Sequence, residues 1–346
     1  MSGHKEQQLV DYLLGKIESG EYKTGRRIPS EYRLAEKFGV DKGTANRAVS
    51  VLVSRGYLKR LRGAAGTILI RNSVFPLRHF VYTGVFPSIH SFYAKLLNGI
   101  LDASYNEHIL LSVLPLRLET NTVRFAEDVH AIHPDAILIG GSSPAFDLRD
   151  VPTVFMDTYP FAEGERIRTV NPDNVEAGRM MLDHLYRLGH RRIGFVRINN
   201  GISVGADRFK GASGRARELG IRLDPLKLLA PYHLPGSNFQ FGHLLDSARK
   251  KYTAILFEND IICAGFCGYC AEHGVRIPED LSVAAFLVNN EFHHFRRITS
   301  IDSHTYELGS YGVSQALKLI GGEKDIPVQE LLPVSLFEGE TVSGIG

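Results

Sequence analysis

The chain has 346 residues, 44% hydrophobic and 23% charged, with a formal net charge of +2. That is more than one ordinary domain, and the composition excludes a disordered or fibrous protein. No apolar run approaches the roughly 18–20 residues of a membrane span. The first residues, Met1 to Glu6, lack the apolar core of a secretory signal, and three cysteines cannot all pair, so a cytoplasmic protein is expected. Charge is unevenly placed: residues 1–72 hold 14 Lys+Arg against 7 Asp+Glu, the remainder 26 against 31. A small basic head on a mildly acidic body predicts that the head alone meets a polyanion.

Helical periodicity opens the chain. Leu9, Leu13 and Ile17, with Val10 and Leu14, share one face, and Gly20 stops the run. Pro29 and Ser30 announce a second helix with Ser30 as N-cap, an apolar face of Leu34, Ala35 and Phe38, and Gly39 as exit. Asp41 caps a third helix that runs to about Arg55. It buries Ala45, Ala48, Val49, Leu52 and Val53, and leaves Lys42, Gly43, Asn46, Arg47 and Ser50 on the opposite face. Two helices joined by a short turn at Gly39 read as helix-turn-helix. Two strand-like runs, 57–61 and 67–70, then flank the glycine-rich turn 62–66 and predict a hairpin wing.

The head is expected to bind double-stranded DNA. Lys42, Thr44, Asn46 and Arg47 are expected in the major groove, Ser30 and Tyr32 near the backbone, and Arg60, Arg62 and Gly63 on the wing. The competing reading of Arg60 and Arg62 is that they only protect an exposed strand edge. The series Ser19-Gly20-Glu21-Tyr22, Ile28-Pro29-Ser30-Glu31, Leu34-Ala35, Phe38-Gly39-Val40, Thr44, Arg47-Ala48, Gly56-Tyr57-Leu58 and Gly66-Thr67 resembles the GntR-type winged helix-turn-helix over residues 5–72. Asn46, where the family often has an arginine, and an extra alanine in the wing turn depart from that pattern.

After a short connection, 73–78, the pattern changes. Strand-like runs at Phe80–Phe86, Ile109–Leu114, Ala136–Gly140, Thr153–Asp157, Arg192–Arg197, Ala254–Glu258 and Leu281–Phe286 alternate with helical segments. Runs apolar on both faces indicate a mostly parallel α/β sheet, and residues 79–346 are enough for two lobes. Such sheets bind ligands beyond the carboxyl ends of their strands.

Asp173-Asn174, Ala177-Gly178, the run from His184-Leu185 to Phe195, Arg208 with Gly211, Asn259-Asp260, and Gly274 to Val283 resemble the ligand-binding core of the LacI family. The resemblance implies a two-lobed, doubly wound, periplasmic-binding-protein-like body. Its lobes would take roughly 79–157 with 293–322, and 165–287 with 330–346. Together with the head, it is similar to arabinose-repressor-type regulators. It also implies that Arg208 reaches into the cleft and that Asn259 bonds the ligand, while Phe92, on the loop after the first strand, is placed to stack on it. Leu287 stands where sugar-binding members carry an aspartate. A leucine accepts no hydrogen bond and leaves Arg208 without its usual anion, so a sugar acid or phosphate, or a ligand apolar on that side, is expected beside a plain sugar. The alternative for Arg208 is an interlobe salt bridge.

Other signals count for less. Cys263, Cys267 and Cys270 have the spacing of an iron–sulfur motif but fall on one helical stretch. His293 and His294 are adjacent and point apart, and Gly140-Gly141 has no phosphate-loop lysine. No catalytic residue, metal or cofactor is expected. The sequence thus predicts a repressor-type regulator that acts as a homodimer on operator DNA and answers to a small molecule. The alternative is a solute-binding protein without a regulatory role. Segments 92–104 and 226–229 are taken as helical surfaces for the dimer.

Overall fold

Ser30 and Asp41 start their helices as expected. In the computed structural model, Ser30 Oγ accepts the Arg33 N–H at 3.4 Å, and Asp41 Oδ1 accepts the Thr44 N–H at 2.9 Å. The structure describes residues 2–61, 66–70, 78–84, 91–115, 122–141, 151–160, 164–198, 203–228, 237–286 and 297–345. The expected wing residues Arg62 and Gly63, the linker residues up to 77, and Leu287, His293 and His294 lie outside the described residues.

Helices α1 (Ser2–Glu18), α2 (Glu31–Phe38) and α3 (Lys42–Ser54) bury Leu9, Leu13, Ile17, Leu34, Ala45, Val49 and Leu52 together. Gly39 ends α2 in the left-handed region at φ 58, a conformation glycine adopts without a Cβ penalty. Strands β1 (Leu58–Arg60) and β2 (Thr67–Leu69) pair antiparallel, with Leu58 opposite Leu69. Residues 25–28 extend this wing: the Gly25 and Ile28 N–H groups donate to the Leu69 and Thr67 carbonyls.

The body holds two six-stranded sheets. One contains β3 (His79–Gly84), β4 (Leu110–Pro115), β5 (Ala136–Gly140), β6 (Thr153–Met156), β7 (Ile167–Pro172) and β13 (Gln329–Leu332), in the order β13-β7-β6-β5-β3-β4. The other contains β8 (Arg192–Ile198), β9 (Arg222–Leu228), β10 (Ala254–Phe257), β11 (Ser282–Phe286), β12 (Thr299–Asp302) and β14 (Ser335–Phe337), in the order β14-β12-β11-β10-β8-β9. Neighbours from β9 to β12 run parallel, and β14 alone turns antiparallel. The connecting helices are α4 (Ser91–Asn106), α5 (Thr122–Ala131), α6 (Asn174–Arg187), α7 (Ser203–Glu218), α8 (Ser237–Lys251), α9 (Asp260–Glu272) and α10 (Thr305–Gly321). The chain divides into two compact units, residues 1–82, 104–137 and 145–153 in one, and 83–103, 138–144 and 154–346 in the other.

Several expectations are corrected. Residues 165–172 and 330–332 were expected with the second lobe and 299–302 with the first. Instead β7 and β13 pair in the first sheet and β12 in the second. The side-chain pattern of a strand marks which face is buried but not which sheet it joins, so the crossovers were not legible. Leu226 lies in the edge strand β9 rather than a helix, since register with β8 supplies backbone bonds that the short run could not advertise.

One packing detail positions the site below. A Cβ on Gly178 would strike the Arg208 carbonyl, and one on Gly211 would strike the Val175 carbonyl. Both glycines let α6 and α7 touch backbone to backbone, which brings Arg208 beside the start of α6.

Candidate nucleic-acid interface and effector site

On the head, the exposed face of α3 is linked to its neighbours by side chains. Lys42 lies over the ring of Tyr32, 4.2 Å from its centroid, and Tyr32 is 68% exposed. Arg60 Nη2 donates to Asn46 Oδ1 at 2.6 Å and to Ser50 Oγ at 3.0 Å, and its Nε lies 3.8 Å from Glu31. The wing therefore reaches α3 through its arginine. Arg47 Nε donates to Glu6 Oε2 at 2.9 Å and Arg47 Nη2 to Thr44 Oγ1 at 2.8 Å.

Lys42, Asn46, Arg47, Tyr32, Ser30 and Arg60 are thus brought to one region of the head. Thr44 is not on the open face as expected. It is 2% exposed, because its hydroxyl bonds Asp41 Oδ2 at 2.6 Å and turns inward with the cap. The same bonds hold the Asp41 carboxyl below its ordinary range. Glu31 stood in the GntR-type series without a role assigned to it, and Glu6 was missed because its signal was only charge, which many helix-surface carboxylates share.

In the body, Arg208 is almost wholly buried. Its Nε donates to Asn174 Oδ1 at 2.8 Å and its Nη1 to the Glu258 carbonyl at 3.1 Å, and its guanidinium carbon lies 5.7 Å from the centre of the Phe286 ring. The Asp157 carboxylate stands 3.7 Å from Nη2. Asp157 directly follows β6 in the left-handed region, φ 54, and its Oδ2 accepts the Tyr93 hydroxyl at 3.0 Å. Gly141, at φ 64, leaves the room that the Tyr93 ring fills. Asp157 Oδ1 and Arg208 Nη2 are both buried without a hydrogen bond. Burial pushes the Asp157 carboxyl up to about 6, against the pull of Arg208 and Tyr93. The group sits past the carboxyl ends of β6, β10 and β11, where open α/β sheets present ligand sites.

Arg208 is ion-paired with Asp157, as the salt-bridge alternative for it supposes, and it does not lack an anion. Asp157 supplies one from a distant strand end, which removes the ground for requiring an acidic ligand. Phe92 is the second residue of α4, 2% exposed, with its ring edge-on to Tyr93 at 5.0 Å. It packs inward as part of that helix and not on a loop, and Tyr93 is the aromatic that reaches Asp157. Asn259 caps α9, its Oδ1 accepting the Ile262 N–H at 3.1 Å. Asp157 and Tyr93 had no signal beyond their residue type.

Cys263, Cys267 and Cys270 lie along α9, and burial pushes the Cys270 thiol up to about 12. His190 joins Thr253 Oγ1 at 3.0 Å to the Ser343 carbonyl at 3.1 Å and ties the end of the chain to the second sheet. Among the described residues no group of three or more His, Cys, Asp or Glu is placed to hold a metal, and no helix is long and apolar enough to cross a membrane.

Residues 5–68 match the family described as bacterial regulatory proteins, gntR family, and residues 182–342 match the periplasmic binding protein-like domain. The chain is 24% identical over 241 residues to the HTH-type transcriptional repressor CytR of Escherichia coli, covering 67% of this chain and 70% of that one. It is 22% identical over 251 residues to the repressor PurR of Haemophilus influenzae, 69% and 73% of the two chains. In structure it is similar to a LacI family transcriptional regulator from Enterococcus faecium with bound ribose, at TM-score 0.66 and 20% identity over 77% of this chain and all of that one. A lac repressor dimer bound to operator and an anti-inducer matches at TM-score 0.63 and 19% identity, over 78% of this chain and 95% of that one. Residues 5–68 thus match a gntR-family DNA-binding head and residues 182–342 a periplasmic binding protein-like domain, the whole is similar to LacI-type repressors, and the chain is a DNA-binding transcription regulator.

Proposed function

We propose that the protein represses transcription from operator DNA, and that a neutral, hydroxyl-bearing small molecule at the Asp157–Arg208 site modulates that binding. The observation that carries the reading is the facing pair of buried atoms, Asp157 Oδ1 and Arg208 Nη2, 3.7 Å apart and without a hydrogen bond. A hydroxyl both donates and accepts, so one sugar hydroxyl can serve both atoms. An acid or phosphate would satisfy Arg208 but meet the Asp157 carboxylate. Sugars named with similar structures, ribose among them, support the class.

In this reading residues 1–72 form the head, 73–78 the linker and 79–346 the effector-binding body. The protein is a cytoplasmic homodimer and not an enzyme. Two heads joined through the bodies would read a pseudo-palindrome, and the effector would act by favouring one arrangement of the heads.

Calorimetry with matched neutral sugars, sugar acids and sugar phosphates tests the site, on wild type, Asp157→Asn and Arg208→Ala. A neutral sugar that binds, and whose affinity falls about tenfold or more in either variant, is the expected result. Tight binding of an acid, indifferent to Asp157→Asn, would exclude the site as described. Anisotropy with labelled operator, with and without that sugar, tests the coupling.

A further inference from the structure

Arg47 is gripped from two sides before any DNA is present. Asp41 accepts both the N–H and the hydroxyl of Thr44, at 2.9 and 2.6 Å. The Thr44 oxygen then accepts Arg47 Nη2–H at 2.8 Å, and Glu6, from a different helix, accepts Nε–H at 2.9 Å. The chain Asp41–Thr44–Arg47–Glu6 fixes both the direction of the arginine along α3 and the plane of its guanidinium. Thr44 is buried while the Arg47 and Glu6 side chains are 50% and 24% exposed, so a buried anchor holds a group that still meets solvent.

An arginine on a recognition helix has two uses on DNA. It can bind any phosphate, which adds affinity without sequence information, or it can present its planar fork to a base edge, which adds both. Reaching a phosphate requires the side chain to swing, and a swinging arginine must leave Glu6. Presenting the fork where it already lies does not. A carboxylate at this place also repels the DNA backbone at every sequence, and a specific contact by Arg47 offsets part of that repulsion.

We propose that Glu6 is a specificity-determining positioning residue for DNA recognition: it holds Arg47 in the base-reading direction and penalises its use on phosphates. The proposal rests on the reading of the head as the DNA-binding unit. Because an exposed ion pair is weak, its effect is a shift in discrimination and not a loss of binding.

The test uses the full chain and a duplex selected by the wild type from a random-sequence library, with a scrambled duplex of equal length and composition. Glu6→Gln, of the same shape, should bind the scrambled duplex about threefold tighter and lower the selected-to-scrambled affinity ratio by about threefold or more. Glu6→Asp keeps the charge but is one methylene short, so it should lower the ratio without tightening scrambled binding. In an Arg47→Ala background both changes in ratio should vanish, which a purely structural or purely repulsive role of Glu6 would not produce. An unchanged ratio in Glu6→Gln, or the same change with Arg47 absent, overturns the proposal. A wild type that selects no duplex overturns the DNA-binding reading itself, and the proposal with it.

Discussion

Arg55, the C-cap of α3, is ion-paired with Asp135, the residue before β5, and the two side chains are only 7% and 6% exposed. Asp135 Oδ2 also accepts the His79 N–H at 2.7 Å. The end of the recognition helix is thus held by a carboxylate of the body, inside one compact unit. A buried pair that loses one partner leaves the other charge without compensation. Arg55→Ala is therefore expected to destabilise this unit by about 3–5 kcal/mol. Urea unfolding of the full chain measures it, and a cost below about 1 kcal/mol, the range of an exposed pair, would show that the pair is not buried in solution.

Asp157 makes stability depend on pH. Its folded carboxyl, raised to about 6, holds a proton that the unfolded chain gives up near pH 4. The folded state then binds more protons between about pH 4 and 6, so this group's favourable contribution is complete below pH 4 and is lost as pH rises through 6. Asp157→Asn, which cannot ionise, should flatten that part of the profile. Effector affinity should run the other way and strengthen above pH 6, where the ionised carboxylate is the better acceptor. Denaturation and calorimetry at pH 5 and pH 7 read both, and parallel wild-type and variant stability profiles would refute the assignment.

Asn259 has a capping role that separates from any ligand role. Asn259→Ala removes the cap of α9 and should cost about 1 kcal/mol, whereas Asn259→Ser keeps a capping oxygen and should cost much less. If the asparagine amide also bonds the effector, the serine variant will be stable and bind more weakly. Thermal unfolding and calorimetry on the same two variants distinguish the roles.

The Arg60 bridge to Asn46 and Ser50 ties the wing to α3. Arg60→Ala should weaken operator binding and lower the slope of log affinity against log salt by about one if the side chain also neutralises a phosphate. An unchanged slope with weaker binding would assign Arg60 to holding the wing alone.

Gly211→Ala places a methyl against the Val175 carbonyl. Since backbone cannot yield as a side-chain tip can, a loss of about 1–3 kcal/mol is expected, together with weaker effector binding as α7 moves Arg208 away from Asn174. Normal stability would mean that the two helices sit further apart than described.

The sequence by itself determined the head. Its caps at Ser30 and Asp41, its exit at Gly39 and its apolar stripes are local features, set by residues within one or two turns. It also determined the parallel α/β character of the body, and it marked Arg208 by its motif. What only the tertiary structure decided is what meets across sequence distance. Asp157 reaches Arg208 from 51 positions away and Tyr93 reaches Asp157 from 64, while Glu6 reaches Arg47 from 41. Sheet membership of β7, β12 and β13 was decided in the same way, by pairing partners far along the chain. Periodicity records which face of an element is buried but not against what. The charge that completes a buried arginine is therefore found only once the strands are paired and the helices packed.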